Sequence, residues 1–289
     1  MEKQNIATST RLNDFLTLVR IPNCLMIGLA VIVGETIALG TLPSLDKSLA
    51  GFLTASLMMA GTMVMNDIYD VNIDKVNRPN RPIASGRVRT REAMTFAMIL
   101  SVASLAFGAL LGLWTFLTAL LALALMAYYN TRGKNTGLLG NVIVSFNVAL
   151  PFFYGGLAVG SLKALLLMFS ILAFLANLGR EVAKGIPDAQ GDRQLGVRTL
   201  AVSRGPRAAA NVSAVLFLTA VALSFLPPLS GGVSSLYFPS VVLADAGFVY
   251  SSSRLLLDPR PEPVRKVKTW VLLWMLLGLV GFLLGGVGL

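Results

Sequence analysis

The chain has 289 residues, of which 55% are hydrophobic and only 13% are charged, and its mean hydropathy of +0.73 excludes an ordinary soluble domain. It contains no histidine and a single cysteine, Cys24, which excludes histidine-based acid–base catalysis, an intrachain disulfide and a cysteine metal site. The formal net charge is +10, but the apolar composition leaves no soluble basic domain that would present this charge to nucleic acid.

Apolar segments long enough to cross a bilayer as helices of about 17–25 residues recur along the whole chain. In order they are 14–39, 48–68, 90–109, 112–130, 138–160, 162–186, 207–226, 236–257 and 266–288. We therefore predict an all-α, polytopic membrane protein, a bundle of nine transmembrane helices around a central cavity. A single domain is expected to occupy residues 1–289.

The basic residues predict the orientation of this bundle. With the N-terminus in the cytoplasm, only Lys47 and Lys163 of the 24 Lys and Arg residues fall on the outer side, as the positive-inside rule requires. The basic residues are therefore assigned to topology and to anionic headgroups. The long polar connections, 69–89 and 187–206, then lie on the inner side, so we expect a multi-pass cell-membrane protein whose active site faces the cytoplasm.

Three carboxylates lie at the end of the second predicted span. Asp67, Asp70 and Asp74 are spaced i, i+3 and i+7, so on a helix they lie within an arc of about 60°. Like charges this close repel each other, and a hard divalent cation such as Mg²⁺, completed by phosphate oxygens, would relieve that repulsion. The alternative is a solvated acidic helix end.

A second acidic cluster follows the sixth predicted span. Glu181, Asp188 and Asp192 would share one face of a straight helix, but Pro187 makes a straight helix unfavourable because it removes a backbone donor and disfavours helical geometry at the preceding residue. We therefore predict Asp188 and Asp192 as a pair one turn apart, with Glu181 contributed by the preceding helix. The alternative is an interfacial salt-bridge network with Arg180, Lys184 and Arg193.

The two acidic clusters are followed by arginines at similar spacing. Asp74 is followed by Arg81 at nearly the distance at which Asp192 is followed by Arg198. This similar spacing suggests that the chain consists of two related halves, at about 14–135 and 138–257, followed by a ninth helix. Two metal sites facing each other could then clamp a diphosphate, each ion neutralising oxygens that gain charge as the diphosphate leaves.

Other polar side chains are candidates for contacts with the same group. Arg81, Lys134 and Arg198 are the best-placed cations for a diphosphate. Lys134 and Asn141 could equally belong to an ordinary positively charged inner loop. Asn23 interrupts the first span, and a polar residue within a membrane helix is a functional candidate because its burial is costly.

The motif Asn66-Asp67-x-x-Asp70-x-x-x-Asp74, together with Asp188-x-x-x-Asp192, resembles the UbiA superfamily of intramembrane prenyltransferases over nearly the whole chain. Segments 73–86 and 180–200 are similar to the branch that prenylates geranylgeranylglyceryl phosphate. The resemblance implies that Mg²⁺ is held by Asn66, Asp70, Asp74, Asp188 and Asp192, of which the four aspartates are catalytic. The substrate-binding residues are then expected to be Asn23, Asp67, Arg81, Lys134, Asn141, Glu181, Lys184 and Arg198.

The activity implied by this resemblance is transfer of a geranylgeranyl group from geranylgeranyl diphosphate to the free hydroxyl of geranylgeranylglyceryl phosphate, giving a precursor of archaeal-type diether lipids. The expected partners are the prenyl diphosphate, a lipid-like acceptor and the lipid bilayer, without nucleic acid or an obligate protein partner. One alternative is prenylation of an aromatic acceptor of the 4-hydroxybenzoate, naphthoate or haem type. The other is an ion-coupled transporter that uses its intramembrane carboxylates.

Overall fold

The computed structural model describes the backbone of residues 2–194 and 196–287 and, within these ranges, the side chains from residue 11 onward apart from 76 and 77. The described chain is helical, as its apolar runs predict. The helices are α1 (Glu2–Val19), α2 (Ile21–Leu39), α3 (Leu45–Tyr69), α4 (Val71–Asn77), α5 (Thr90–Leu110), α6 (Leu113–Thr131), a 3₁₀ turn (Gly133–Thr136), α7 (Leu138–Val159), α8 (Ala164–Gln194), α9 (Leu200–Leu223), α10 (Leu226–Leu229), α11 (Tyr237–Leu257) and α12 (Pro261–Gly286).

The chain forms two compact units. Unit 1 comprises Met1–Leu29 and Asp46–Thr131, and unit 2 comprises Ala30–Leu45 and Arg132–Leu289. In unit 1, α3 packs against α5, where the Ser104 hydroxyl donates to the Thr54 carbonyl at 2.6 Å. In unit 2, α8 packs against α7, α9 and α12. The long helix α8 is therefore the central element of unit 2.

The first predicted span, 14–39, is wrong as a single helix. α1 ends at Val19 and α2 begins at Ile21, and the residue between them, Arg20, has a φ of 54°. It is the one residue other than glycine with a positive φ in the described part of the chain, a conformation that an L residue adopts only when its surroundings enforce it. The apolar span therefore starts at Ile21, and α1 precedes it.

The predicted break at Pro187 is also wrong. α8 runs without interruption from Ala164 to Gln194 and contains Pro187. Proline is tolerated within helices of membrane proteins where neighbouring elements compensate for the lost backbone hydrogen bond. Here the preceding residues Val182 and Ile186 are buried, and their burial favours continued helical packing more than Pro187 disfavours it.

Eight of the helices in the described part of the chain are long and apolar enough to cross a membrane. The predicted span at 236–257 forms α11 but is not among these eight. Large apolar side chains such as Trp114 on α6 are exposed, as lipid-facing positions would be. The count of nine spans, the central cavity, the related halves and the cytoplasmic N-terminus stay predictions.

The turn between α5 and α6 is short, since α5 ends at Leu110 and α6 begins at Leu113. The Thr115 hydroxyl donates to the carbonyls of Gly108 and Gly112, at 2.8 Å and 2.7 Å, and so links the last turn of α5 to the first turn of α6. In unit 2, Gly155 permits a close crossing of α2 and α7, since a Cβ at this position would lie 2.4 Å from the Val31 carbonyl oxygen.

Candidate active site

The first acidic motif lies at the end of α3, where Asp67 is buried between two arginines. Its Oδ1 accepts hydrogen bonds from Arg20 Nη2 at 2.5 Å and from Arg81 Nη1 at 2.9 Å. Asp67 is 4% exposed, so its charge is neutralised by these two guanidinium groups rather than by water. The structure therefore gives Asp67 a defined role in holding Arg20 and Arg81 together.

Arg81 also binds the last carboxylate of the motif. Its Nη1 donates to Asp74 Oδ2 at 2.6 Å, so the same nitrogen bridges Asp67 and Asp74. The connection that carries Arg81 packs into the core of unit 1 through the buried side chains of Ile83 and Val88. Arg81 and Asp74, which the sequence predicts at one site, are thus brought into direct contact.

Asn66 and Asp70 stand on either side of Asp67 in the sequence. Asn66 Nδ2 donates to Asn130 Oδ1 at the end of α6, at 3.3 Å. Asp70 is half-buried and lies between α3 and α4. Its amide donates to the Asn66 carbonyl at 2.9 Å and its carbonyl accepts from the Asp74 amide at 2.8 Å, so helical hydrogen bonding continues through the motif.

Neither Arg20 nor Asn130 is among the site residues predicted from the sequence. Arg20 interrupts an apolar run just before Pro22, which is the signal that would have singled it out. Its left-handed backbone conformation turns the chain between α1 and α2, and its guanidinium reaches Asp67 on α3. Asn23, which was predicted, donates its backbone N–H to the Arg20 carbonyl at 2.9 Å, and its role in substrate binding stays a prediction.

The second acidic motif belongs to unit 2 and lies on about the last four turns of α8. Because α8 continues through Pro187, Glu181, Asp188 and Asp192 are on one helix, contrary to the predicted break. Asp188 is exposed and Asp192 is half-buried. The Thr199 hydroxyl hydrogen-bonds to Asp192, and the same residue caps α9 by accepting from the Val202 amide at 3.4 Å. The predicted pair, one turn apart, is confirmed in its spacing.

Glu181 is buried two turns before Asp188. Its Oε1 accepts a hydrogen bond from Arg180 Nη1 at 3.0 Å, and its Oε2 accepts one from the Lys184 ammonium group. The salt-bridge network that the sequence offered as an alternative is therefore present around Glu181, and it is formed by the predicted residues Glu181 and Lys184 together with Arg180.

The connection after α6 packs against the connection before α9. Gly137 has a φ of +67°, and a Cβ there would lie 2.1 Å from the Arg198 carbonyl oxygen, so only glycine fits. This approach places the segment of Lys134 and Asn141 beside the backbone of Arg198. Lys134 is half-buried, while the Arg198 side chain is exposed. Their predicted contact with a diphosphate stays a prediction.

The donors in both motifs suit a hard cation. They are carboxylate and amide oxygens, and within the described residues no group of three or more acidic side chains is gathered tightly enough to hold a metal by itself. Mg²⁺ is usually bound by one or two carboxylates together with substrate phosphate oxygens and water rather than by a complete protein cage. The residues present therefore fit Mg²⁺ delivered with a diphosphate.

These features define a polytopic membrane protein whose helix ends present carboxylates, arginines and lysines suited to a metal-bound phosphate group. The sequence model of the UbiA prenyltransferase family matches residues 27–278. The chain belongs to this family, and it is accordingly a prenyltransferase and an integral membrane enzyme.

Relatives of known name agree with this assignment. The chain is 32% identical over 276 residues to the digeranylgeranylglyceryl phosphate synthase of Thermococcus sibiricus, an alignment that covers 96% of this chain and 98% of the relative. A solved structure described as digeranylgeranylglyceryl phosphate synthase has a TM-score of 0.79 at 27% identity, covering 97% of this chain and 100% of that one. A UbiA homolog from Archaeoglobus fulgidus bound to GPP and Mg²⁺ has the same fold, with a TM-score of 0.67 at 18% identity and coverage of 93% and 99%.

Proposed function

We propose that the chain transfers a geranylgeranyl group from geranylgeranyl diphosphate to the free hydroxyl of geranylgeranylglyceryl phosphate. The observation that carries this proposal is the end-to-end similarity to a digeranylgeranylglyceryl phosphate synthase, which covers 96% of this chain and 98% of the relative. Because the similarity spans both acidic motifs and the segments between them, it supports the same substrates and not only the same fold.

The acidic motifs and their neighbouring cations would bind the diphosphate of the donor. Asn66, Asp70, Asp74, Asp188 and Asp192 would hold Mg²⁺. When bound with the diphosphate, this ion supplies positive charge that stabilises the leaving group. Arg81, Lys134 and Arg198 would donate hydrogen bonds to the diphosphate oxygens, and such fixed charges favour the transition state because negative charge accumulates there.

Arg81 would have to divide its hydrogen bonds between protein and substrate. In the structure it binds Asp67 and Asp74, whereas a bound metal would neutralise Asp74 and leave guanidinium donors of Arg81 available to phosphate. Asp67 would keep Arg81 in place during this exchange. We assign Asp67 to positioning for this reason, although the sequence predicts it as a substrate contact.

The bond between the allylic carbon and the diphosphate oxygen breaks, and the acceptor hydroxyl forms the new ether bond. The hydroxyl proton passes late in the reaction to a motif carboxylate or to the departing diphosphate, so no histidine is needed. An allylic cation must be kept from water, and a cavity lined by apolar side chains inside a membrane bundle would do so. Two long prenyl chains also require apolar surface open to lipid, which a membrane bundle offers.

We further propose that the N-terminus and the active site face the cytoplasm, as the distribution of basic residues predicts. Since Cys24 is the single cysteine of the sequence, a Cys24→Ser background allows one engineered cysteine at a time to be labelled from either side. Asn80→Cys should react with a membrane-impermeant maleimide only from the cytoplasmic side, and Thr41→Cys only from the outside. The reverse pattern would overturn the orientation.

Transfer can be tested with purified enzyme in detergent, Mg²⁺ and labelled geranylgeranyl diphosphate. Geranylgeranylglyceryl phosphate and 4-hydroxybenzoate are supplied in separate reactions, and products are identified by mass spectrometry. We expect the diether phosphate from the first acceptor and no prenylated ring from the second. Transfer to the ring with none to the glycerol phosphate ether would overturn the proposal in favour of an aromatic-acceptor enzyme.

A further inference from the structure

The Asn66 side chain is held at one end by an asparagine from another helix. Asn66 lies in the last turn of α3, and its Nδ2 donates to Oδ1 of Asn130, in the last turn of α6, at 3.3 Å. Asn130 is 2% exposed, and a buried amide needs a hydrogen-bond partner because its polar atoms have lost their contact with water. Asn66 is that partner, so the two amides hold each other and link α3 to α6.

This hydrogen bond decides which atom of Asn66 remains for another ligand. A side-chain amide has a donor nitrogen and an acceptor oxygen that leave the same carbon in different directions, so fixing the nitrogen also fixes the oxygen. Within the part of the chain that the structure describes, the bond to Asn130 is the one hydrogen bond of the Asn66 side chain. Oδ1 is therefore the atom that Asn66 offers, and oxygen is the ligand that Mg²⁺ requires.

Asp70 supports the same reasoning because it lies one helical turn after Asn66. The Asp70 amide donates to the Asn66 carbonyl at 2.9 Å, so the two residues are at positions i and i+4, where an amide side chain can donate to a carboxylate. Asn66 Nδ2 instead donates to Asn130. The Asn66 oxygen and the Asp70 carboxylate are then two acceptors at neighbouring positions, an arrangement that a shared cation stabilises.

We propose that Asn130 is a positioning residue that holds the Asn66 amide with its oxygen available to Mg²⁺. The inference rests on the proposed function, in which Asn66 binds the ion that accompanies the donor diphosphate. Groups that hydrogen-bond to a metal ligand orient it, and their loss typically weakens metal binding or activity by about 10–100-fold. Without Asn130, the Asn66 amide would be free to turn its nitrogen toward Asp70, where the N–H groups would repel the ion.

Metal binding can be measured without prenyl transfer. Purified protein in detergent is titrated with Mn²⁺ in the presence of geranylgeranyl diphosphate and without acceptor, and free Mn²⁺ is followed by electron paramagnetic resonance. Asn130→Leu has a similar shape but no acceptor atom, and we expect its dissociation constant for Mn²⁺ to rise about tenfold. Asn130→Ala removes the same acceptor without adding apolar volume, so it should show the same rise and keeps the test valid if leucine does not fit.

Ser104→Ala is the matched control because it also removes a buried hydrogen bond between α3 and another helix. The Ser104 hydroxyl donates to the Thr54 carbonyl at 2.6 Å, and Thr54 lies about 18 Å from Asn66 along α3, at about 1.5 Å per residue. This variant should lower the unfolding midpoint and leave Mn²⁺ binding unchanged. In the Asn130 variants, the Mg²⁺ concentration for half-maximal transfer should rise about tenfold, whereas kcat at saturating Mg²⁺ should fall less than about threefold.

A double-mutant cycle separates the orientation of the ligand from the folding of the motif. Asn66→Asp replaces the amide with a carboxylate, and either oxygen of a carboxylate can bind a cation. Orientation by Asn130 then matters much less. In the Asn66→Asp background, Asn130→Leu should therefore raise the Mn²⁺ dissociation constant by less than about threefold, so the two substitutions should be strongly coupled.

Two results would overturn this inference. Unchanged Mn²⁺ binding in Asn130→Leu and Asn130→Ala would leave Asn130 with the structural role of joining α6 to α3. An equal loss of Mn²⁺ affinity in the wild-type and Asn66→Asp backgrounds would show that Asn130 acts on the fold of the motif and not on the orientation of Asn66. Failure of the proposed function is separate, because the wild type would then transfer no prenyl group to geranylgeranylglyceryl phosphate, whereas Mn²⁺ binding is measured without any acceptor.

Discussion

Asp67 offers a direct test of how the first motif is held together. Asp67→Asn removes the negative charge that lies between Arg20 and Arg81. Breaking a buried ion pair by removing one partner costs about 3–5 kcal/mol. We expect the lower end, about 3 kcal/mol, because the side chains of Arg20 and Arg81 are 31% and 18% exposed and Arg81 keeps its bond to Asp74.

The free energy of unfolding can be measured in mixed micelles of a mild detergent and SDS, followed by tryptophan fluorescence. A double-mutant cycle of Asp67→Asn with Arg20→Gln should give a coupling energy of at least about 1 kcal/mol, since the two side chains are in contact. Asp258→Asn is the matched control because Asp258 binds Arg260 at 2.7 Å on the surface, where an ion pair contributes little. Equal effects of Asp67→Asn and Asp258→Asn would refute the argument from burial.

The remaining predictions concern the second motif, one connection, the core of unit 2 and the requirement for a divalent cation. Asp188→Asn and Asp192→Asn should each lower kcat for prenyl transfer by about 100-fold or more, the scale of losing a group that stabilises transition-state charge, and the Asp258→Asn rate should be unchanged; full activity in the first two would exclude them from catalysis. Gly137→Ala should destabilise the chain by about 2 kcal/mol or more, because its φ is +67° and a Cβ would meet a backbone carbonyl at 2.1 Å; an unchanged unfolding midpoint would contradict this close approach. Phe217→Ala should cost about 3–5 kcal/mol, since Phe217 is fully buried; a cost below that of an exposed substitution would show that the site collapses. Removal of divalent cations with EDTA should abolish transfer, and Mg²⁺ should restore it; activity without any divalent cation would contradict the metal assignment.

The helical spans and the spacing of the carboxylates could be predicted because they depend on local pattern. An apolar run of about 20 residues specifies a membrane helix almost irrespective of its neighbours, and the separation of Asp188 and Asp192 follows from helix geometry once they share a helix. The predicted break at Pro187 was wrong because tertiary packing of Val182 and Ile186 outweighed a local preference of proline.

The partners of the charged residues could not be predicted in the same way. Arg20 and Asp67 are 47 residues apart, and their contact depends on the left-handed turn at Arg20, which has no distinctive local sequence signal because positive φ usually indicates glycine or asparagine. The approach of Gly137 to the Arg198 carbonyl likewise joins two connections distant in sequence. These contacts depend on how the helices pack against each other. The residue pattern of a single sequence does not show which distant residues such packing brings together.

The unbroken course of α8 fixes the distance between the buried Glu181 and the pair formed by Asp188 and Asp192. Because Glu181, Asp188 and Asp192 are on the same helix, their separation is fixed by helical rise and not by the folding of a loop. Adding one residue between Lys184 and Asp188 would shift the pair by about 1.5 Å and rotate it by about 100° around the helix axis. Such a change would turn Asp188 and Asp192 away from the helix face that carries Glu181, so the salt-bridge network and the carboxylate pair share one face only because α8 keeps a single register.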